Sequence, residues 1–122
     1  MAYDEDLANR VREILGPERG IEEKQMFGGL AFLINGNVSV MCVGASGQGG
    51  LVVRVRPDDT EKLLQREHVS VKVMAGREPR GWLHVATDGL KTKRQLQSWV
   101  TRGVEYAKTL RPKQARGRRS RD

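Results

Sequence analysis

Residues 26–37 read MFGGLAFLINGN, and the predicted fold is organised around them. The run Leu30–Ile34 carries no charge and is rich in aromatic and branched side chains, at a length typical of a buried strand. Asn35-Gly36 follows at once, and the apolar pattern resumes in residues 38–43. Asn-Gly between two apolar runs is the strongest short-range hairpin signal, because both central residues of a type I′ turn need positive φ. The sequence therefore predicts a central β-hairpin that the flanking helices cover.

A glycine pair, Gly28-Gly29, stands just before the first of these strands. Two glycines at this point indicate a bend, a bulge or the close approach of another backbone. A phosphate-binding loop is the alternative, but the pattern G-x-x-x-x-G-K-[ST] does not occur and no helical pattern follows the pair. We therefore interpret the pair as structural.

Amphipathic helices are predicted near both ends of the chain. In residues 4–15 the apolar side chains recur at helical spacing from Leu7, and Gly16-Pro17 should end the helix, with Gly16 as the C′ residue. The second helix follows Thr92, which forms a capping-box pattern with the glutamine three residues on, and its apolar stripe continues to Leu110. Small residues in this stripe favour close packing of the second helix on a sheet.

The middle of the chain alternates between strands and one short helix. Asp58 with Glu61 three residues later is typical of a helix start, and this helix should fade near residue 67. Strands are predicted at residues 51–56, 69–74 and 82–86, and a solvated edge strand at residues 21–26.

These elements predict a two-layer α+β sandwich, in which one antiparallel sheet carries helices on one face. The predicted order is α-β-β-β-α-β-β-α, and residues 21–26 would supply a fourth strand before the middle helix. The length fits one domain, over residues 1–110. Residues 111–122 form a basic tail that lacks an apolar pattern, and we expect residues 113–122 to be disordered.

Composition indicates a soluble globular protein, with 38% hydrophobic and 30% charged residues. No apolar run of 18 residues occurs, so no membrane span is expected. The start of the chain is acidic and has no apolar stretch of the signal-peptide kind, so a cytoplasmic location is the default.

The net charge of +7 belongs mostly to the tail, because the chain without residues 111–122 keeps 16 basic and 14 acidic residues. Such a tail would contact nucleic-acid phosphates weakly and without sequence preference, in a salt-sensitive way. A tail that only aids solubility is the alternative. The candidate nucleic-acid residues are Arg111, Lys113, Arg116, Arg118, Arg119 and Arg121.

Catalytic patterns do not emerge from the sequence. Cys42, the one cysteine, lies in the second hairpin strand, where a free thiol usually behaves as a small buried apolar group. His84 should face away from its apolar neighbours as a solvated side chain. We prefer this interpretation to a metal ligand, because zinc would want three or four ligands and the chain has one Cys and two His. We therefore expect a non-enzymatic protein without a metal or other cofactor.

The chain resembles the TfoX/Sxy N-terminal domain over roughly residues 3–113. MFGGLAF followed by NGN is similar to the signature of that family, and the order and spacing of further matches strengthen the resemblance. These matches are AYDEDL at residues 2–7, GLVVRV at 50–55, GREPRGW at 76–82, WV at 99–100 and YA at 106–107.

The resemblance implies a fold like that of secretion chaperones and suggests a homodimer. It also implies a regulatory or interaction domain, a transcriptional co-regulator of competence genes that works with a DNA-bound activator protein. Trp82 beside two arginines could anchor such a partner; the alternative places Trp82 in the core and the arginines in solvent. The candidate partner surface is Phe27, Gly28, Gly29, Arg77, Arg80 and Trp82.

Overall fold

A computed structural model describes residues 4–16, 18, 20–26, 28–44, 49–73 and 76–112. The predicted α+β architecture is confirmed: the described part contains a six-stranded antiparallel sheet in the order β1-β2-β3-β4-β6-β5, with helices packed against it. The strands are β1 (Ile21–Met26), β2 (Gly29–Ile34), β3 (Asn37–Val43), β4 (Gly50–Arg54), β5 (Val69–Val71) and β6 (Trp82–Ala86). The helices are α1 (Glu5–Leu15), α2 (Thr60–Leu63) and α3 (Lys93–Thr109), with 3₁₀ turns at Pro57–Asp59 and Thr87–Leu90.

The predicted hairpin is β2–β3, and Asn35-Gly36 forms its two-residue turn. Both turn residues have positive φ, 53° and 84°, as a type I′ turn requires. Ile34 pairs with Asn37 directly across the turn, but the pairing shifts by one residue farther along, so that Ser39 is an extra residue on β3. This is a β-bulge, and the Ser39 hydroxyl donates a hydrogen bond of 2.8 Å to the Phe32 carbonyl.

The long helices begin as their sequences predict. The Asp4 carboxylate caps α1 by accepting from the Leu7 amide at 3.2 Å. Thr92 and Gln95 form the predicted capping box at α3, with two hydrogen bonds of 3.0 Å. Gly16 differs from the prediction, because its φ of −45° is helical and it does not adopt the left-handed conformation of a C′ glycine.

Apolar side chains are buried on both faces of the sheet. The larger cluster lies between the sheet and helices α1 and α3, and includes Phe32, Leu51, Leu83, Leu96 and Trp99. The second cluster lies on the opposite face. Its buried members are Ala31, Leu33, Met41, Val43 and Val52, against which Met26, Val38 and Trp82 pack.

The middle of the chain departs from the sequence prediction at the start of its helix and at three element ends. The expected cap at Asp58 is wrong: Pro57 starts a 3₁₀ turn that contains Asp58, and α2, which follows, has no side-chain cap. Helix α2 ends at Leu63, strand β4 at Arg54 and strand β5 at Val71, each before its predicted boundary. The charged residues 21–26 do form an edge strand, which makes four strands before α2.

None of the helices in the described ranges is both long and apolar enough to cross a bilayer. The predicted disorder of residues 113–122 concerns a segment outside the described residues.

Candidate functional site

The glycine pair before β2 has two different structural roles. Gly28 is exposed and has a φ of 74°, so it forms a turn that other residues adopt only with strain. Gly29 is buried, and a Cβ there would collide with the carbonyl oxygen of Cys42 on β3. The structural interpretation of the pair, a bend with close backbone approach, is therefore confirmed. Phe27, the preceding candidate residue, lies outside the described residues.

The remaining candidates of the partner surface lie near the start of β6. Arg77 is exposed, and Arg80 donates to the Pro57 carbonyl at 3.1 Å and to the Glu61 carboxylate at 3.3 Å. Trp82 is half-buried and packs against the second apolar cluster. Its cross-strand partner Arg54 places a guanidinium 5.0 Å from the centre of the indole ring.

Strand pairing separates the glycine turn from Trp82. Gly29 pairs with Val43, which pairs with Gly50, and Gly50 pairs with Ala86 at the far end of β6 from Trp82. The candidate residues therefore do not form one compact patch.

Val73, which the sequence analysis missed, lies near the glycine turn. Its side chain is 56% exposed, and no other large hydrophobic side chain among the described residues is exposed. The Lys72 amide donates to the Trp82 carbonyl at 3.0 Å, so the residue before Val73 pairs with Trp82. Val73 also lines a cleft of about 420 Å³ together with Gly28 and His84. The sequence pattern wrongly indicates that Val73 is buried, because Val69, Val71 and Val73 alternate as the apolar residues on one buried face of a strand do.

His84 occupies the face opposite to Leu83 and Val85, as predicted, and is half-buried within this cleft. In the described part of the chain, no three His, Cys, Asp or Glu side chains come close enough to hold a metal ion.

Arginines stack on aromatic rings at a second location, along the exposed side of α3. Arg66 and Arg102 place their guanidinium carbons 5.3 and 5.9 Å from the Trp99 ring centre. Arg54 and Arg56 lie 6.0 and 5.6 Å from the ring of Tyr106. Three of these four contacts join residues that are far apart in the chain, so no local sequence pattern indicates them, whereas Arg102 and Trp99 have i, i+3 spacing on α3.

Two clefts run along this side of α3 and share Ser98. The first, of about 360 Å³, is lined by Arg66, Glu67, His68, Gly89, Arg94, Gln95, Ser98 and Trp99. The second, of about 450 Å³, is lined by Arg56, Asp59, Ser98, Thr101, Arg102, Glu105, Tyr106 and Thr109. Charged and hydroxyl-bearing side chains predominate in both, as in sites that bind polar ligands.

Cys42 is fully buried in the helix-facing core, as predicted. Burial raises the pKa of its thiol to about 12, and the nearby charge of Asp4 acts in the same direction. Because the thiolate is the nucleophilic form, this thiol is unreactive at neutral pH.

Of the six tail cations, only Arg111 belongs to the described residues. Its carbonyl accepts a hydrogen bond of 3.0 Å from the side-chain amide of Asn37, which places the start of the tail beside the β2–β3 turn.

Comparisons with known proteins agree with this architecture. A crystal structure of a protein from Pseudomonas syringae, from the Northeast Structural Genomics Consortium, has a TM-score of 0.61 to this chain at 10% sequence identity. The likeness covers 81% of this chain and 97% of that one. At this identity it shows the fold alone. No curated protein matches the chain.

The sequence profile of the TfoX N-terminal domain matches residues 13–107, which is well over half of the chain. The chain therefore belongs to the TfoX N-terminal domain family.

Proposed function

We propose that this chain is a non-enzymatic regulatory domain that acts by binding a protein partner, as a transcriptional co-regulator of the TfoX type. Family membership supports the regulatory class. The observation that carries the protein-contact interpretation is the exposure of Val73 in a cleft that Gly28 and His84 also line. Tryptophan and arginine are the residue types that most often anchor protein contacts, and Trp82 starts the adjoining strand β6 while the exposed Arg77 precedes it.

The charges around Val73 indicate what the partner should offer. Lys72 lines the same cleft as Val73, and Arg77 is exposed in the connection to β6. A partner surface with an apolar residue surrounded by carboxylates would complement this arrangement, since rim charges set orientation and the rate of encounter. A DNA-bound activator protein with such a patch is the proposed partner.

The test compares transcript profiles in cells that lack the gene and carry the wild type, Val73→Asp or Gln97→Asp. Both variants add one carboxylate at an exposed position, and Gln97 lies on α3 away from Val73. Wild type and Gln97→Asp should restore the profile, whereas Val73→Asp should not. Restoration by Val73→Asp would rule out this surface, and a deletion without any change in transcripts would rule out the regulatory role.

Non-specific nucleic-acid binding through residues 111–122 is the second candidate function. The concentration of charge in the tail favours it, and the Asn37–Arg111 hydrogen bond gives the tail a fixed origin on the domain. Duplex DNA titrated with the full chain and with a version ending at Pro112 would test it. Only the full chain should bind, with affinity that falls steeply as salt rises. Equal binding by the shorter version would exclude the tail as the binding element.

A further inference from the structure

We propose that the two clefts along α3 form a second recognition site, which takes an extended acidic peptide segment of a protein partner. This inference rests on the proposed function in one respect, namely that the partner is a protein. The residues involved differ from those around Val73.

The first observation is that the described part of the chain supplies no carboxylate partner to the arginines of these clefts. Elsewhere on the surface, Arg12 pairs with Glu23, Arg80 with Glu61 and Lys108 with Glu18. Within the described residues, no ion pair includes the arginines at positions 66, 94 and 102. Their positive charge is therefore available to a ligand.

Stacking prepares two of these arginines for binding. Trp99 is 5% exposed and supplies a rigid platform for the guanidinium groups of Arg66 and Arg102. A stacked guanidinium keeps its N–H edge free for a bidentate bond to a carboxylate and loses less conformational freedom when that bond forms. The clefts therefore hold donors in position for oxyanions.

Arg102 provides a further observation that points to a ligand. Its Nε is buried without a hydrogen-bond partner, the one such side-chain atom identified among the described residues. Buried donors in folded proteins are almost always satisfied, so one that is not requires an explanation. Arg102 also lines the second cleft, so a turn of its guanidinium toward the cleft would let an acceptor group of a ligand satisfy this donor.

The remaining lining favours a peptide over a nucleic acid. Asp59 and Glu105 line the second cleft and would repel a continuous row of phosphates. Trp99 is buried and Tyr106 has two arginines within 6.0 Å of its ring, so neither offers a free face for a base. A peptide can place its carboxylates at Arg66 and Arg94 and a neutral or basic side chain beside Asp59.

The dimensions suit a short segment. From Arg94 to Glu105, α3 rises about 16 Å, which an extended chain spans with about five residues. The hydroxyls of Ser98 and Thr101 lie between the two ends and can bond to a peptide backbone.

The experiment is an NMR titration of the ¹⁵N-labelled full chain with the capped pentapeptide Glu-Gly-Glu-Gly-Gly, whose neutral end suits the carboxylates of the second cleft. We expect saturable shifts of the amides of Arg66, Gln95 and Ser98. The double variant Arg66→Gln/Arg94→Gln should bind about tenfold more weakly, as expected for the loss of charge-assisted hydrogen bonds. Lys24→Gln on the edge strand β1, outside both proposed sites, is the control and should bind like the wild type, and a pentapeptide with glutamine in place of glutamate should not bind.

Three results would overturn the proposal. These are the lack of saturable shifts at millimolar peptide, shifts restricted to residues 111–122, and tighter binding of a thymidine pentanucleotide than of the peptide at the same amides. Val73→Asp separates the two proposals, because it should leave this titration unchanged even where it abolishes the transcript response.

Discussion

Gly103 of α3 lies directly against Ser39 of β3. A Cβ at position 103 would stand 2.5 Å from the Ser39 carbonyl oxygen and 2.9 Å from a methyl group of Val40. The helix can approach the sheet this closely only because position 103 has no side chain. The contact also falls at the bulge, where Ser39 is the extra residue of the strand.

Replacement of Gly103 by alanine should therefore destabilise the fold, although alanine is the better helix former. The methyl group would meet backbone atoms, and such overpacking costs about 1–3 kcal/mol. Thermal unfolding followed by circular dichroism would show the lower transition temperature. Thr101→Ala, on the exposed side of the same helix, should leave the transition unchanged or raise it; an equally stable Gly103→Ala variant would refute the close contact.

Gly36→Ala should weaken the β2–β3 hairpin. Gly36 has a φ of 84°, and an L-residue pays about 1–2 kcal/mol to adopt such a conformation. Urea denaturation at pH 7 would give the loss in unfolding free energy. Asn35→Gly serves as the control, since glycine adopts the φ of 53° at that position without strain. A fully stable Gly36→Ala variant would contradict the type I′ turn.

Cys42 should not react with iodoacetamide at pH 8 in the folded protein. The pKa of its thiol is raised to about 12 by burial, so the thiolate is scarce and enclosed by the core. Mass spectrometry should find the added group only after unfolding in guanidinium chloride, which also provides the control for reagent activity. Rapid modification under native conditions would show that the core around β3 opens readily.

The Arg12–Glu23 pair joins α1 to the edge strand β1 and should contribute a small pH-dependent stability. Two hydrogen bonds from Arg12, of 2.7 and 2.9 Å, lower the pKa of the Glu23 carboxyl below 4.5. Because the pKa of Glu23 is lower in the folded state, the ion pair stabilises the fold at pH values above the unfolded-state pKa. This stabilisation is lost as the pH falls through the folded-state pKa. Both side chains are more than a third exposed, so its size should stay below about 1 kcal/mol.

Glu23→Gln should accordingly be less stable than the wild type at pH 7, and the difference should be smaller at pH 3. Urea unfolding at the two pH values measures the difference, with Glu22→Gln as the neighbouring exposed control. A gap between wild type and Glu23→Gln that is unchanged at pH 3 would show that the effect does not depend on the ionised carboxylate.

The sequence predicts most of the architecture where one local signal determines one element. Asn35-Gly36 identifies the hairpin, the Thr92 capping box marks the start of α3, and the alternation around His84 gives the faces of β6. The end of α2 and the length of β5 depend on tertiary packing and differ from the predictions. Arg66 and Trp99 meet only in the folded chain, so no spacing rule could have indicated the clefts along α3.

Burial of β2 and β3 on both faces has a consequence for how the register of the sheet is encoded. A strand with one polar face can pair in only one way, because a slip by one residue would expose its apolar side chains. Here such a slip at β3 would exchange Val40 and Cys42 for Met41 and Val43, one apolar pair for another. Hydrophobicity therefore carries almost no information about the pairing. That information resides in small residues at fixed points: the Asn-Gly turn, the bulge at Ser39 and the glycine of α3 that accommodates it. Relatives that lose the bulge should be free to replace that glycine, so the two positions are expected to change together in evolution.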